Sequence, residues 1–171
     1  MEVQIDSREH KSELNRIQRQ FDRLGIKYFV SKLFVGDYMN LDNPRLVVDR
    51  KKDLLEICNN VTKQHERFKA ELLRAKEHGI KIVILCEHGE GIETLDDVYF
   101  WENPRLKPSR WVMRDGHPVK VAQSEKATDG KTLHKCLRTI SERYDVEFLF
   151  CQKRDTGRRI SEILGGGGDG K

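Results

Sequence analysis

Apolar and polar positions alternate through Val3-Gln4-Ile5-Asp6, the pattern of a strand with one buried face. The period then changes. Leu14, Ile17, Phe21 and Leu24 fall on one helical stripe, which Gly25 terminates. Residues 26–35 mix aromatic and β-branched side chains and predict a strand. After a turn signalled by Asp42-Asn43-Pro44, Leu46 to Lys51 predicts another, with a hairpin as the simplest connection. Leu54, Leu55, Ile57, Cys58 and Val61 mark a short helix, and residues 65–78 a second that ends at Gly79. Ile80 to Cys86 is an almost unbroken apolar run, as in a central strand covered on both faces. Leu133, Leu137, Ile140 and Tyr144 give another amphipathic helix, and Val146 to Cys151 a last strand.

Strands alternating with helices predict an α/β layered domain with a mixed sheet. At 171 residues the chain has the size of one domain, expected over 1–164. Residues 89–130 are long for a connection and form an elaborated loop or an insertion. Residues 165–171 are glycine-rich and predict a mobile tail without chemistry of its own.

Charged residues are 35% of the chain and hydrophobic residues 37%, which puts a large solvated surface around an ordinary core and excludes disorder. The net charge of +4 permits a polyanionic partner without demanding one, so local clustering has to decide. Cys58, Cys86, Cys136 and Cys151 are far apart and form no C-x-x-C pair, which predicts free thiols in a reducing, cytoplasmic compartment. No apolar run is long enough for a membrane span, and the N-terminus lacks the layout of a secretion signal.

Candidate chemistry concentrates in Gly36-Asp37-Tyr38 and Val47-Val48-Asp49-Arg50-Lys51. On an extended strand Asp49 and Lys51 point one way while Val48 and Arg50 point the other. A neighbouring strand carrying Asp37 brings two carboxylates and one ammonium together. Magnesium takes one or two carboxylates and keeps water in its remaining positions, so Asp37 and Asp49 are candidate ligands. The metal then lowers the pKa of a bound water, while Lys51 adds fixed positive charge or positions that water. The bland alternative, a turn carboxylate and two solvated strand-end charges, is by far the commoner meaning of a bare D-x-K, so the surrounding sequence has to decide.

Taken in order, Ile5-Asp6-Ser7-Arg8-Glu9, Gly36-Asp37-Tyr38 and Val48-Asp49-Arg50-Lys51 resemble the XPF-type nuclease domain, a branch of the PD-(D/E)xK nucleases. The resemblance runs from Met1 to about Leu164. It implies a restriction-endonuclease-like fold and magnesium- or manganese-dependent cleavage of DNA, commonly at branched or single-to-double-strand junctions. It implies Asp37 and Asp49 as metal carboxylates, Lys51 as the catalytic lysine, Asp6 and Glu9 as further acidic members of the catalytic set, and Arg8 and Arg50 as motif arginines that bind DNA. Members are often homodimers, and here Tyr144, Phe148 and Phe150 offer aromatic area for pairing or, equally, for core packing. Three departures stand out. Asp49 replaces the usual glutamate and is one methylene shorter. Asp53 comes early for the acidic residue that follows the motif and reads as a helix N-terminal charge. The tandem helix-hairpin-helix module that often accompanies the domain is absent from this sequence, so junction specificity does not carry over.

Arg67, Lys69, Arg74 and Lys76, with Lys63 just before them, read either as a phosphate track or as a solvated face interleaved with Glu66, Glu71 and Glu77. The middle segment sets Trp101, Arg105, Lys107, Arg110, Trp111, Arg114 and Lys120 against only Glu102 and Asp115. That composition suits a loop gripping single-stranded DNA, and equally an insertion whose tryptophans cover a secondary core. Gly130-Lys131-Thr132 lacks the upstream glycine of a phosphate loop and reads as a helix start. Neither Cys86-Glu87-His88 nor His65-Glu66 completes a metal motif. The expectation is a metal-dependent DNA endonuclease. The rival is a catalytically silent DNA-binding or dimerisation module of the same fold, while a nucleotide-directed enzyme lacks a glycine-rich cradle.

Overall fold

In the computed structural model, residues 1–89, 91–124 and 126–166 are described, so 167–171 of the expected tail lie outside the described residues. The chain begins with strand β1 (Glu2–Asp6), helix α1 (Lys11–Leu24) and strand β2 (Lys27–Ser31). β2 runs parallel to β1 at the sheet edge, with Val3 opposite Tyr28. A parallel pair needs a crossover, and α1 is that crossover. The strand expected over residues 26–35 therefore ends early and takes no part in the hairpin. The hairpin joins β3 (Tyr38–Asn40) to β4 (Asn43–Lys51). Its turn is Leu41-Asp42, where the Asp42 N–H donates to Asn40 Oδ1 at 3.0 Å, so Asn43 and Pro44 already belong to β4.

Helices α2 (Leu54–Val61) and α3 (His65–Glu77) precede β5 (Lys81–Cys86). Asp53 caps α2 by accepting from the Glu56 N–H at 2.8 Å, in keeping with its reading as a helix N-terminal charge. The 89–130 segment contains two short 3-10 turns, Asp96–Phe100 and Pro104–Leu106, and a ribbon of β6 (Pro108–Arg114) and β7 (His117–Ala122). Asp129 caps α4 (Gly130–Tyr144), so Gly130 does start a helix. A Cβ at Gly130 would run into the carbonyl oxygens of Val98 and Trp101, which explains the glycine. β8 (Glu147–Phe150) and α5 (Thr156–Leu164) complete the order.

The main sheet is mixed, in the order β2-β1-β3-β4-β5-β8, with β4, β5 and β8 mutually parallel. Alternation along the strands feeds two cores. Ile5, Tyr38, Val48 and Leu85 pack with Ile17 and Phe21 of α1 and Ile160 and Leu164 of α5. Val47, Ile82 and Ile84 face the other way, onto Leu54, Leu72, Leu133 and Leu137 of α2, α3 and α4. Each fully buried large side chain contributes roughly 1.5–3 kcal/mol relative to exposure.

Helix α5 was not expected from the sequence. Ile160 and Leu164 are correctly spaced, but the segment is short and opens on Thr156-Gly157, and it becomes a helix by packing on α1, where the Gly157 N–H donates to Gln20 Oε1 at 2.5 Å. Phe148 and Phe150 are buried and Tyr144 packs beside them in the second core, so their aromatic area serves packing inside the chain. Trp101 is likewise buried, whereas Trp111 is 66% exposed, dividing the two tryptophans between the alternatives left open.

Candidate active site

The strand register puts three aspartates in one row. Ile5 pairs with Tyr38 and Tyr38 with Val48, so the next residues, Asp6, Asp37 and Asp49, lie side by side across β1, the start of β3, and β4. Main-chain bonds extend the ladders to this row: the Asp6 N–H donates to the Asp37 carbonyl at 2.8 Å, and the Asp37 N–H to the Val48 carbonyl at 2.9 Å. Gly36 makes the approach feasible. Its φ is +69°, and a Cβ there would lie 3.1 Å from Val47 Cγ2. The row borders a cleft of about 370 Å³ between the sheet and the α2–α3 side.

The three carboxylates have different neighbours. Asp6, expected in the catalytic set, is saturated: Oδ1 accepts from the N–H and Nε of Arg8, and Oδ2 from Arg8 Nη2 and the Leu33 N–H, all within 2.8 Å. Burial pushes its pKa up, but the Arg8 bonds and charge hold it below the ordinary carboxylate value. It is a clamp for the loop after β1 and has no oxygen left for a metal. Asp37 is the opposite case. Its Oδ2 accepts from the Arg50 N–H at 2.8 Å, and no other bond to its carboxylate stands among the described residues. Burial, then the charge of Asp49, drive its pKa well above the usual value, with Lys51 compensating only in part. Asp49 is buried, and Lys51 Nζ reaches both of its oxygens at 2.8 Å. Burial pulls the Lys51 pKa down, but Asp49 and Asp37 more than offset it and keep the ammonium charged.

Among the described residues no cluster of three or more histidine, cysteine or carboxylate groups is arranged to hold a metal. The Asp37–Asp49 pair, with water in the remaining positions, would suit magnesium or manganese better than a cation wanting a full protein cage. The under-compensated Asp37 carboxylate fits such a cation.

Arg50, between the two active-site residues of β4, points to the opposite face. It is 7% exposed, with Nη2 2.8 Å from Glu9 Oε1, Nε 3.2 Å from Glu9 Oε2 and Nη1 3.3 Å from Glu87 Oε2. Its expected role on DNA phosphate gives way to a structural one, because the guanidinium is enclosed by carboxylates. Glu9 also accepts from the Tyr38 hydroxyl at 3.1 Å. It lines the cleft but is held by Arg50, a supporting position more than a free acid or base. Glu87 accepts from Arg16 and, at 2.7 Å, from the Thr156 hydroxyl.

The expected DNA-binding cations separate. Arg8, Arg67 and Arg74 line the cleft, Arg74 lying 5.6 Å over the Phe34 ring. Lys63 is exposed between α2 and α3, and Lys76 instead donates to the Arg143 carbonyl at 2.8 Å. Arg105 donates to Asn59 Oδ1 at 3.2 Å, and Arg110 is exposed on β6. Two cleft residues were not expected at the site from the sequence, Glu56 and Glu71. Glu56 carries a legible signal, the D-x-x-E spacing from Asp53 that marks a capped helix start. Glu71, which accepts from the Gly36 N–H at 3.3 Å, looked like one of several solvated glutamates.

Comparison with solved structures finds the fold in XPF from Aeropyrum pernix, at a TM-score of 0.62 and 18% identity, covering 98% of this chain and 66% of that one. XPF from Aeropyrum pernix in complex with DNA matches at a TM-score of 0.63 and 16% identity, covering 97% of this chain and 64% of that one. The chain thus spans just under two thirds of the length of these relatives. No curated protein matches. Comparison with protein families matches residues 5–162 to the ERCC4 domain, nearly the whole sheet with its helices. With this match the chain belongs to the ERCC4 domain family.

Proposed function

We propose that this chain is a divalent-metal-dependent DNA endonuclease that hydrolyses phosphodiester bonds and prefers branched or junction-containing DNA. The observation that carries the reading is the Asp37–Asp49–Lys51 trio, a half-buried and a buried carboxylate opposite one another in the β3–β4 ladder with a charged lysine on the buried one. Membership in the ERCC4 family, whose members are generally nucleases, supports it, as does the DNA held by the Aeropyrum pernix relative.

Asp37 and Asp49 would hold magnesium or manganese, which when bound supplies a Lewis acid for water and for a phosphoryl oxygen. The rest falls to the chain. Asp37, which lines the cleft, is fixed through Oδ2 by the Arg50 main-chain N–H. Lys51, held charged, offers Nζ protons to a non-bridging phosphate oxygen as negative charge grows there, or orients the attacking water. Arg67 and Arg74 on α3, with Arg8 across the cleft, meet flanking phosphates. Arg50 holds Glu9 from the far side of the sheet.

The test is a panel of labelled flap, fork, nicked and four-way DNAs incubated with and without magnesium or manganese. Cutting is expected only with metal. Asp37→Asn and Lys51→Ala should each lower the rate by about 100-fold or more while DNA retention stays near wild type. A panel left uncut with either cation, with affinity intact, would establish the silent binding module instead.

A further inference from the structure

We propose that the β6–β7 ribbon is a binding arm for unpaired DNA, with Trp111 as its stacking platform. Strands β6 and β7 pair with each other and pack on little else among the described residues. The ribbon is nonetheless well formed. Its turn is Asp115-Gly116, with φ of +51° and +79°, the left-handed pair that a tight two-residue hairpin requires. A lone two-stranded ribbon is marginal in water, and this one leaves Trp111 66% and Met113 68% exposed.

The charge on the ribbon selects its occupant. Arg110, Arg114 and Lys120 stand against Asp115 alone, and none of the three forms an ion pair among the described residues. In the register Trp111 faces Lys120 across the strands, so indole and ammonium share one face. A base stacks on the ring while the ammonium meets a phosphate, and the arginines on the opposite face add positive potential. A duplex keeps its bases stacked on each other and has no use for the ring. A protein partner seated on the Trp111 face would bury Lys120, a residue type depleted from interface cores.

The ribbon's root is tied to the nuclease body. The Ser124 N–H donates to the Arg105 carbonyl at 3.0 Å, and Arg105 in turn holds Asn59. Asn59 lines a depression shared with Glu9 and Glu56, both of which also line the cleft. An unpaired arm on the ribbon would thus lie beside the cleft that takes the junction. The inference rests on DNA as the ligand, though not on its being cut.

Fluorescence anisotropy with labelled oligothymidine and with a blunt duplex, both in chelator, tests it. Trp111→Ala should weaken oligothymidine binding by about ten-fold or more and change duplex binding by less than about two-fold, with an unchanged thermal melt. Trp111→Phe should keep most of the affinity but lose the quenching of tryptophan emission by oligothymidine, because the remaining Trp101 is buried. Lys120→Ala should lower the salt slope of single-strand binding by about 0.7. Unchanged oligothymidine affinity in Trp111→Ala, or an equal loss on duplex, would overturn the proposal. So would light scattering showing that Trp111→Ala splits an oligomer. A chain that grips oligothymidine through Trp111 but cuts nothing would sink the nuclease reading and leave this one standing.

Discussion

Strand β4 carries two polar clusters one residue apart, and they are neutralised in opposite ways. On the α1 face, Glu9, Glu13 and Glu87 meet Arg50, Arg16 and Lys153, three carboxylates for three cations. On the cleft face, Asp37 and Asp49 share Lys51, two carboxylates for one inner cation. The carboxylates of both clusters are largely withdrawn from water, so a mismatched charge is costly in either. In the matched cluster even the two buried atoms without a hydrogen bond, Arg50 Nη1 and Glu87 Oε2, face each other as an ion pair at 3.3 Å, and the cluster serves as scaffold. The mismatched one keeps an unfilled demand for positive charge, which is what a divalent cation and a phosphate would bring.

The sharpest way to break this comparison is to unbalance the matched side. Arg50→Met removes a guanidinium that is 6% exposed at its side chain and leaves Glu9, Glu13 and Glu87 facing one another. Loss of one partner of such a network costs about 3–5 kcal/mol, readable as a large drop in the urea midpoint. A drop of less than about 1 kcal/mol would show that solvent reaches the cluster and that the scaffold assignment is wrong.

The residues of the mismatched side were legible in the sequence and those of the matched side were not, for a physical reason. Asp37, Asp49 and Lys51 sit at strand positions whose direction follows from period-two alternation, so their convergence needed only the pairing of two strands. The helices with regular stripes, α1 through α4, were legible for the same reason. Arg50 looked like a phosphate ligand because alternation says which face it points to but not that Glu87, 37 positions away on the end of β5, lies beneath it. Glu13 and Arg16 fall off the apolar stripe of α1, and nothing local tells that Lys153 and Thr156 come to meet them. Asp6 shared the motif's acidic character, yet its clamp on Leu33 depends on a loop path that no local pattern encodes. The early stop of β2 is likewise a tertiary effect, because its partner β1 ends at Asp6, opposite Ser31.

Acid titration probes the matched side more gently. Burial alone would raise the Glu13 pKa, but hydrogen bonds from Arg16 and Lys153 and the charges of Arg16 and Arg50 bring it from 4.5 to about 2. A carboxylate depressed in the folded state stabilises the protein above its unfolded pKa and loses that contribution as pH falls through the folded one. Between pH 5 and 2 the wild type should therefore lose up to about 3 kcal/mol through this group. Glu13→Gln should be less stable at pH 7 and show a flatter acid limb in urea melts. Parallel limbs for the two proteins would remove Glu13 from the network.

The mismatched side predicts a smaller change of opposite sign. Asp37 has its pKa raised by burial and by Asp49, so its folded-state value exceeds its unfolded one. Such a group stabilises the fold while protonated, below the unfolded value, and that contribution disappears as pH rises through the folded value. At neutral pH and without metal, Asp37→Asn should then be more stable than wild type by about 1 kcal/mol, because the amide oxygen still accepts from the Arg50 N–H and the charge is gone. Magnesium should reverse the order, since binding to the folded state raises the wild-type melting temperature with concentration while the variant has lost a ligand. A wild type whose melting temperature ignores magnesium, together with a destabilised Asp37→Asn, would mean that the cleft is as well matched as the scaffold face. The contrast between the two sides of β4 would then collapse.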